Sequence, residues 1–171
     1  MNFKETILKR RSIRKYLDTE ISETMITDLI EAGYNAPSAC NRKPINFYVI
    51  TNKEIIKKLD KSGRFTNMHS PLIIIVAGDL KRALPFKYKD YWIQDASAAT
   101  ENILLMATSL GLGACWNGVY PQMKVVENIQ QILGLDDKII PLSLIHIGYP
   151  KEEKEPNKGF DSKHVFYINK E

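Results

Sequence analysis

The sequence predicts one layered domain of mixed helices and strands, α+β or α/β, and three observations carry that reading. Trp92, Ala96, Ala99, Ile103, Met106 and Leu110 recur at steps of four and three, a continuous apolar stripe on one long helix. Short apolar runs at residues 45–51 (INFYVIT), 71–78 (PLIIIVAG) and 139–147 (IIPLSLIHI) have the length and β-branched content of strands. Helical patterns separate those runs, giving about five helices and four strands. A chain of 171 residues with 44% hydrophobic and 26% charged content can bury a single core of that kind.

In chain order, Asn2 can cap a short helix running to about Arg10, with Glu5 three residues on as its capping-box partner. Residues 12–16 then read as extended. Ser22 caps a second helix carrying Met25, Ile26, Leu29 and Ile30, with Gly33 as its expected stop. Residues 35–44 (NAPSACNRKP) form a loop closed by two prolines, and Asn52 caps a helix with Ile55, Ile56 and Leu59. A loop with Gly63, Met68, His69 and Ser70 precedes the strand at 72–77. The long helix spans about Asp90 to Leu110, with small residues around its first half and apolar ones round most of its second. A helix of that kind is buried on more than one side, which suggests a partner subunit.

Gly111 and Gly113 end the long helix, and residues 114–120 read as a loop. A further helix runs from Gln122 to about Leu133 with Val125, Val126, Ile129 and Ile132 on one face. Pro141 near the start of the 139–147 strand marks an edge or a bulge. Residues 1–150 make the compact part. Residues 151–171 make a polar arm ending in a strand-like segment, 165–168 (VFYI), expected to add to a partner's sheet.

Composition excludes several function classes. A net charge of +4, from 24 basic and 20 acidic residues interleaved along the chain, offers no polycation to coat a nucleic acid. No apolar run reaches the roughly 18 residues of a membrane span, and MNFKETILKR has no apolar signal core. A cytoplasmic protein is expected. Cys40 and Cys115 lack CxxC spacing and read as buried free thiols. His69, His146 and His164 are far apart, with no metal-ligand spacing and no nucleophile elbow. Gly111, Gly113 and Gly118 follow a helix rather than a strand, so they carry no dinucleotide fingerprint.

Two constellations remain. Residues 9–15 (KRRSIRK) place five cations in seven positions. If the chain is extended there, Arg10, Ser12 and Arg14 share one face and Arg11 and Lys15 the other. Two guanidinium forks flanking a hydroxyl suit an anion, although a solvated face is the ordinary fate of such a run. The loop at 35–44 would let a flat ligand approach backbone, with Ser38, Asn41 and Lys43 as donors; a tight surface loop fits it equally.

Taken together, RRSIRKY (10–16), NAPSACNRKP (35–44), QDASAATENILLMATSLGLGACWNG (94–118) and PLSLIHIGYPKEE (141–153) resemble the nitroreductase family of FMN-dependent oxidoreductases. Four pieces in the family's order, over nearly the whole chain, make the resemblance specific. It implies an α+β fold with a central, mostly antiparallel sheet flanked by helices. It also implies a homodimer with FMN sites at the interface and a C-terminal arm exchanged between subunits. By position, Arg10, Arg11, Ser12 and Arg14 would meet the phosphate, ribityl chain and ring edge of FMN. Pro37, Ser38, Ala39 and Asn41 would lie along the flavin from the partner subunit. Lys43 stands where the family usually has glutamine and would face the pyrimidine edge. Trp116, Asn117 and Gly118 would line the ring with backbone. Lys158, or else Lys163, would take the place of an arginine that meets the phosphate.

The implied activity is hydride transfer from NADH or NADPH to nitroaromatic, quinone or similar flat acceptors in a ping-pong cycle. No catalytic side chain is expected, because the flavin carries the chemistry. Dehalogenation, flavin cleavage and a redox sensor without turnover are the alternatives on the same fold. Little sequence separates the strand at 72–77 from the long helix, which predicts an open cleft with residues 87–92 as its rim.

Overall fold

In the computed structural model, which describes residues 2–156 and 159–168, four strands form one sheet with helices packed on it. Helix α1 spans Phe3–Lys9 and opens with the predicted capping box. Asn2 Oδ1 accepts the Glu5 N–H at 3.0 Å and Glu5 Oε2 accepts the Asn2 N–H at 3.3 Å. Helix α2, Glu23–Tyr34, is capped by Ser22. Gly33 does not stop it. A Cβ there would lie 2.8 Å from the Phe47 ring and 3.0 Å from Ile103, so this glycine serves close packing inside the last turn.

Strand β1 (Ile45–Ile50), helix α3 (Lys53–Leu59), strand β2 (Leu72–Asp79), helix α4 (Tyr91–Ser109), strand β3 (Gly113–Gly118), helix α5 (Met123–Leu133) and strand β4 (Ile139–Gly148) follow. The sheet order is β1-β2-β4-β3 and every pairing is antiparallel, as the resemblance implied. β2 and β4 are the central strands, and their side chains are buried almost throughout. That is why both read as unbroken apolar runs. Val76 pairs Ser143 while Ala77 pairs Pro141, leaving Leu142 as an extra residue. Pro141 therefore marks a bulge, but in a central strand.

Side-chain alternation along β4 divides the core into two layers. Ser143 Oγ lies 2.9 Å from Thr100 Oγ1 of α4, whereas His146, of opposite parity, turns to Ser70 beyond α3. The α4 stripe behaves as predicted over Trp92, Ala96, Ala99 and Ile103, all buried; Met106 is only half-buried. Trp92 packs so tightly on β2 that a Cβ at Gly78 would stand 2.2 Å from its ring.

Two expectations fail. Residues 113–118 are a strand rather than a loop; Gly, Ala and Asn carry no β signal, and pairing with β4 decides the conformation. Residues 165–168, expected to pair with a partner's sheet, are unpaired within their own chain, with Phe166, Tyr167 and Ile168 exposed. Cys40 is exposed, on a turn whose φ of 51° holds it out of the core, while Cys115 is buried.

Candidate functional site

The basic segment becomes a fifth, irregular strip along the sheet. Ser12 bridges Ala114 in parallel, Ile13 N–H donates to the Ala114 carbonyl at 3.0 Å, and Tyr16 bridges Pro150. The chain leaving β4 closes the other side, with Lys151 N–H on the Lys15 carbonyl at 2.8 Å and Leu17 N–H on the Tyr149 carbonyl at 2.9 Å. Glycine makes the approach possible. A Cβ at Gly113 would meet Ile13 at 2.8 Å, and one at Gly148 would meet Tyr16 at 2.9 Å.

Period-two alternation then parts the cations. Arg14 opens onto a cavity of about 560 Å³ bounded by loop 63–68, by Trp116, Asn117 and Gly118 at the end of β3, and by the start of α5. Arg11 and Ile13 open onto a different cavity of about 540 Å³, beneath residues 150–156. Arg11 donates to the Glu155 carbonyl, and Arg10 pairs with Glu101 of α4 at 3.2 Å. Ser12 is held by its backbone, its carbonyl accepting from Lys154 Nζ at 2.6 Å.

Arg14 is positioned from behind. Its N–H donates to Glu152 Oε1 at 2.6 Å, and this bond, with Lys154 3.2 Å away, holds the Glu152 carboxyl below the usual carboxylate range. The guanidinium itself is left exposed toward the cavity. Opposite it, Asn117 is buried, with its Nδ2 4.0 Å from Met68 Sδ. Cys115, two residues before Asn117 in β3, does not line the cavity, and burial raises its thiol pKa despite Arg14 nearby.

The proline-bounded loop lies elsewhere. Pro37, Ser38 and Lys43 border a small cleft beside Asp95 rather than the Arg14 cavity. Ala39 N–H donates to Asp95 Oδ1 at 2.8 Å, and Ser38 Oγ accepts the Lys43 N–H at 2.9 Å. Burial raises the Asp95 carboxyl, with the Ala39 bond opposing it. Arg82 braces the loop's end, donating to the Lys43 and Ile45 carbonyls at 2.8 and 3.1 Å. Asn41 is exposed, and Lys43 Nζ stands 4.0 Å over the Tyr34 ring. Within one chain, then, Arg14, Trp116, Asn117 and Gly118 come together and Pro37, Ser38, Ala39, Asn41 and Lys43 form a separate group. Lys158 lies outside the described residues; Lys163 is exposed in the turn Ser162–His164.

Loop 63–68 is the wall that the sequence reading missed. Its signal was length: twelve residues without periodicity between α3 and β2, of the kind that carries function. Residues 87–92 do not rim this cavity in one chain; Phe86, Lys89 and Trp92 instead border another of about 500 Å³.

Comparison with known proteins decides the family. The nitroreductase family pattern matches residues 7–64 and 63–149. The chain belongs to the nitroreductase family. A relative from Archaeoglobus fulgidus, provisionally named NADH dehydrogenase/NAD(P)H nitroreductase, is 41% identical over 87% of this chain and 86% of its own. A Methanothermobacter thermautotrophicus relative with the same name is 40% identical over 94% and 84%. Among solved structures, an FMN-dependent nitroreductase from Clostridium difficile superposes with a TM-score of 0.87 at 32% identity, covering 96% of this chain and 98% of that one. A provisionally named nitroreductase from Desulfovibrio desulfuricans, solved in complex with FMN, gives 0.83 at 27% identity, covering 100% and 99%.

Proposed function

We propose that this member of the nitroreductase family is an FMN-dependent oxidoreductase that draws hydride from NADH or NADPH and delivers it to flat acceptors such as nitroaromatics or quinones. The observation that carries the reading is the Arg14 cavity. Two cations, Arg14 and Arg64, face a space of about 560 Å³ whose floor is the exposed end of a strand. The donor set fits a flavin. Gly118 has no atom within 4 Å of where a Cβ would stand, so the absence of a side chain is itself what leaves ring-sized room.

Bound FMN would supply the redox chemistry, hydride exchange with the nicotinamide and with the acceptor in turn. The chain's own residues bind and tune. Arg14 presents its fork to the pyrimidine edge, where reduction concentrates negative charge, and so favours the reduced form. Trp116, Asn117 and Gly118 offer backbone along the ring, and their β4 pairing keeps that edge from moving. Arg10, Arg11 and Ser12, with Lys158 or Lys163, are the candidates for phosphate and ribityl chain.

Two features support assembly as a homodimer with sites between subunits. Phe3, Ile7 and Leu8 of α1 stand exposed near the half-buried Leu105 and Met106 of α4, an apolar face without cover. The exposed segment 165–168 would be covered by exchange onto a second copy, with residues 151–171 acting as the arm. In the same assembly, Pro37, Ser38, Ala39, Asn41 and Lys43 would reach the partner's flavin, and residues 87–92 would rim the cleft. A cytoplasmic setting agrees with free thiols at both cysteines.

The test is direct. Purified protein should be yellow, and its flavin spectrum should bleach on adding NADH or NADPH and recover on adding menadione or nitrofurazone. Colourless protein that takes up no FMN overturns the reading.

A further inference from the structure

Loop 63–68 hangs from a buried polar cluster on the far side from the cavity. Asp60, the residue that closes α3, is 4% exposed, and His146 in the centre of β4 is wholly buried. Three groups of the loop converge on Asp60. Its carbonyl accepts the Thr66 hydroxyl at 3.0 Å, its Oδ1 accepts the Met68 N–H at 3.4 Å, and His69 Nδ1 approaches Oδ2 at 3.1 Å. Thr66 and Met68 also line the cavity, and Met68 Sδ faces Asn117. One residue therefore touches the loop where it shapes the proposed site, through its backbone carbonyl at Thr66 and its carboxylate at Met68.

The sheet reaches the same carboxylate through His146, whose Nε2 lies 4.0 Å from Asp60 Oδ1. That is beyond hydrogen-bond range, and the His69 approach lacks hydrogen-bonding angles. Asp60 Oδ2 and His146 Nε2 are thus buried without a hydrogen-bond partner among the described residues. Ser70 Oγ lies 2.8 Å from both the Leu72 carbonyl and His146 Nδ1, and its single proton can serve only one of them. If the hydroxyl donates to His146, the ring carries its own proton on Nε2 and turns a donor toward Asp60. If it donates to Leu72, Nε2 turns a lone pair toward the carboxylate, an unfavourable opposition in a low-dielectric interior. Asp60 therefore favours the tautomer of His146 that turns an N–H toward the carboxylate, an electrostatic preference across 4.0 Å.

We infer that Asp60 is a positioning residue: lying between His146 in the sheet and His69 at the surface, its carboxylate sets where Met68 stands against Asn117, and so the width of the cavity. This rests on the proposed function only for its cofactor consequence. A buried carboxylate with few full hydrogen bonds is costly to keep in a merely structural turn, where a neutral side chain would serve.

Amide hydrogen exchange on the cofactor-free protein tests it, with Asp60→Asn and Asp60→Ala. Exchange at residues 61–70 should accelerate about tenfold in Asp60→Ala and less in Asp60→Asn, while β2 and β4 keep their protection. The FMN dissociation constant should rise in the same order, with the Arg14 contribution to the flavin potential unchanged. Unaltered exchange at 61–70, or acceleration shared equally by β2 and β4, overturns the inference. If Asp60→Ala does not fold, His69→Gln at the surface should still accelerate 61–70 about threefold, and no change there counts against it. A parent protein that binds no FMN would sink the proposed function, while the exchange pattern would still decide the role of Asp60.

Discussion

The two walls of the Arg14 cavity are built on different principles. The β3 wall is held by a ladder: Trp116, Asn117 and Gly118 pair with Ile145, Leu144 and Ser143 of a central strand. The 63–68 wall has no ladder and depends on Asp60 with two histidines behind it. A ladder shares its load among many bonds, so no single side chain on it controls position. A loop hung from a few contacts, the Asp60 carbonyl and carboxylate and Asn128 on the Ser62 carbonyl, is adjustable at single residues, and sensitive there. The ladder wall thus gives the cavity its floor, and the hung wall gives it its tolerance.

Acid should expose the weakness of the hung wall most strongly. Burial holds the His146 imidazole down at about 4, against an opposing pull from Asp60, with the Thr66 carbonyl, His69 and Ser70 its other polar neighbours. The folded state keeps the ring neutral while the unfolded chain takes a proton below its ordinary value of about 6.5. That contribution is fully present above about pH 6.5 and is lost as pH falls toward 4, on the order of 3 kcal/mol in total. Urea midpoints at pH 7 and pH 4.5 should diverge in the parent and converge in His146→Gln; parallel profiles would break the comparison.

Crowding the ladder wall should come next. Gly113→Val drives a branched side chain into Ile13 and should cost about 2 kcal/mol, read as a lower melting temperature with unchanged exchange at 63–68. Arg14→Ala should leave both walls standing and lower the flavin potential by about 30 mV, the two-electron equivalent of one charge-assisted hydrogen bond of about 1.4 kcal/mol. Arg10→Ala, whose guanidinium is engaged by Glu101, should leave the potential alone and weaken FMN retention. Equal effects of the two would undo the separation of cations seen along the strip. Gly118→Ala should be the mildest change, within about 0.5 kcal/mol in stability, because its Cβ meets nothing. It should nonetheless weaken FMN binding severalfold, since the methyl enters the cavity.

Much of this was legible in the residues, and unevenly so. Helix α4 announced itself through Trp92, Ala96, Ala99 and Ile103, and α1 through Asn2 and Glu5, because periodicity and capping are local. β2 and β4 were plain for the same reason, being apolar runs of strand length. β3 was not, since Gly113, Ala114 and Asn117 adopt a strand only because β4 lies beside them. The alternation of Arg11 and Arg14 was readable, but the diversion of Arg10 to Glu101 needed a contact across ninety-one positions. Loop 63–68 stayed hidden because Asp60 and His146 are ordinary letters until the fold brings them within 4.0 Å. Gly33 misled because close packing and helix termination favour the same residue.

The strip at 12–16 is finished by the chain's far end: Tyr16 bridges Pro150, and Lys15 accepts from Lys151. During synthesis the basic segment leaves the ribosome more than a hundred residues ahead of the backbone that anchors it. At roughly 5 to 20 residues per second, Arg14 waits on the order of ten seconds for its support. Cofactor capture is therefore a late event in the life of each chain, and a chain cut short before residue 150 would display its arginines with nothing to aim them.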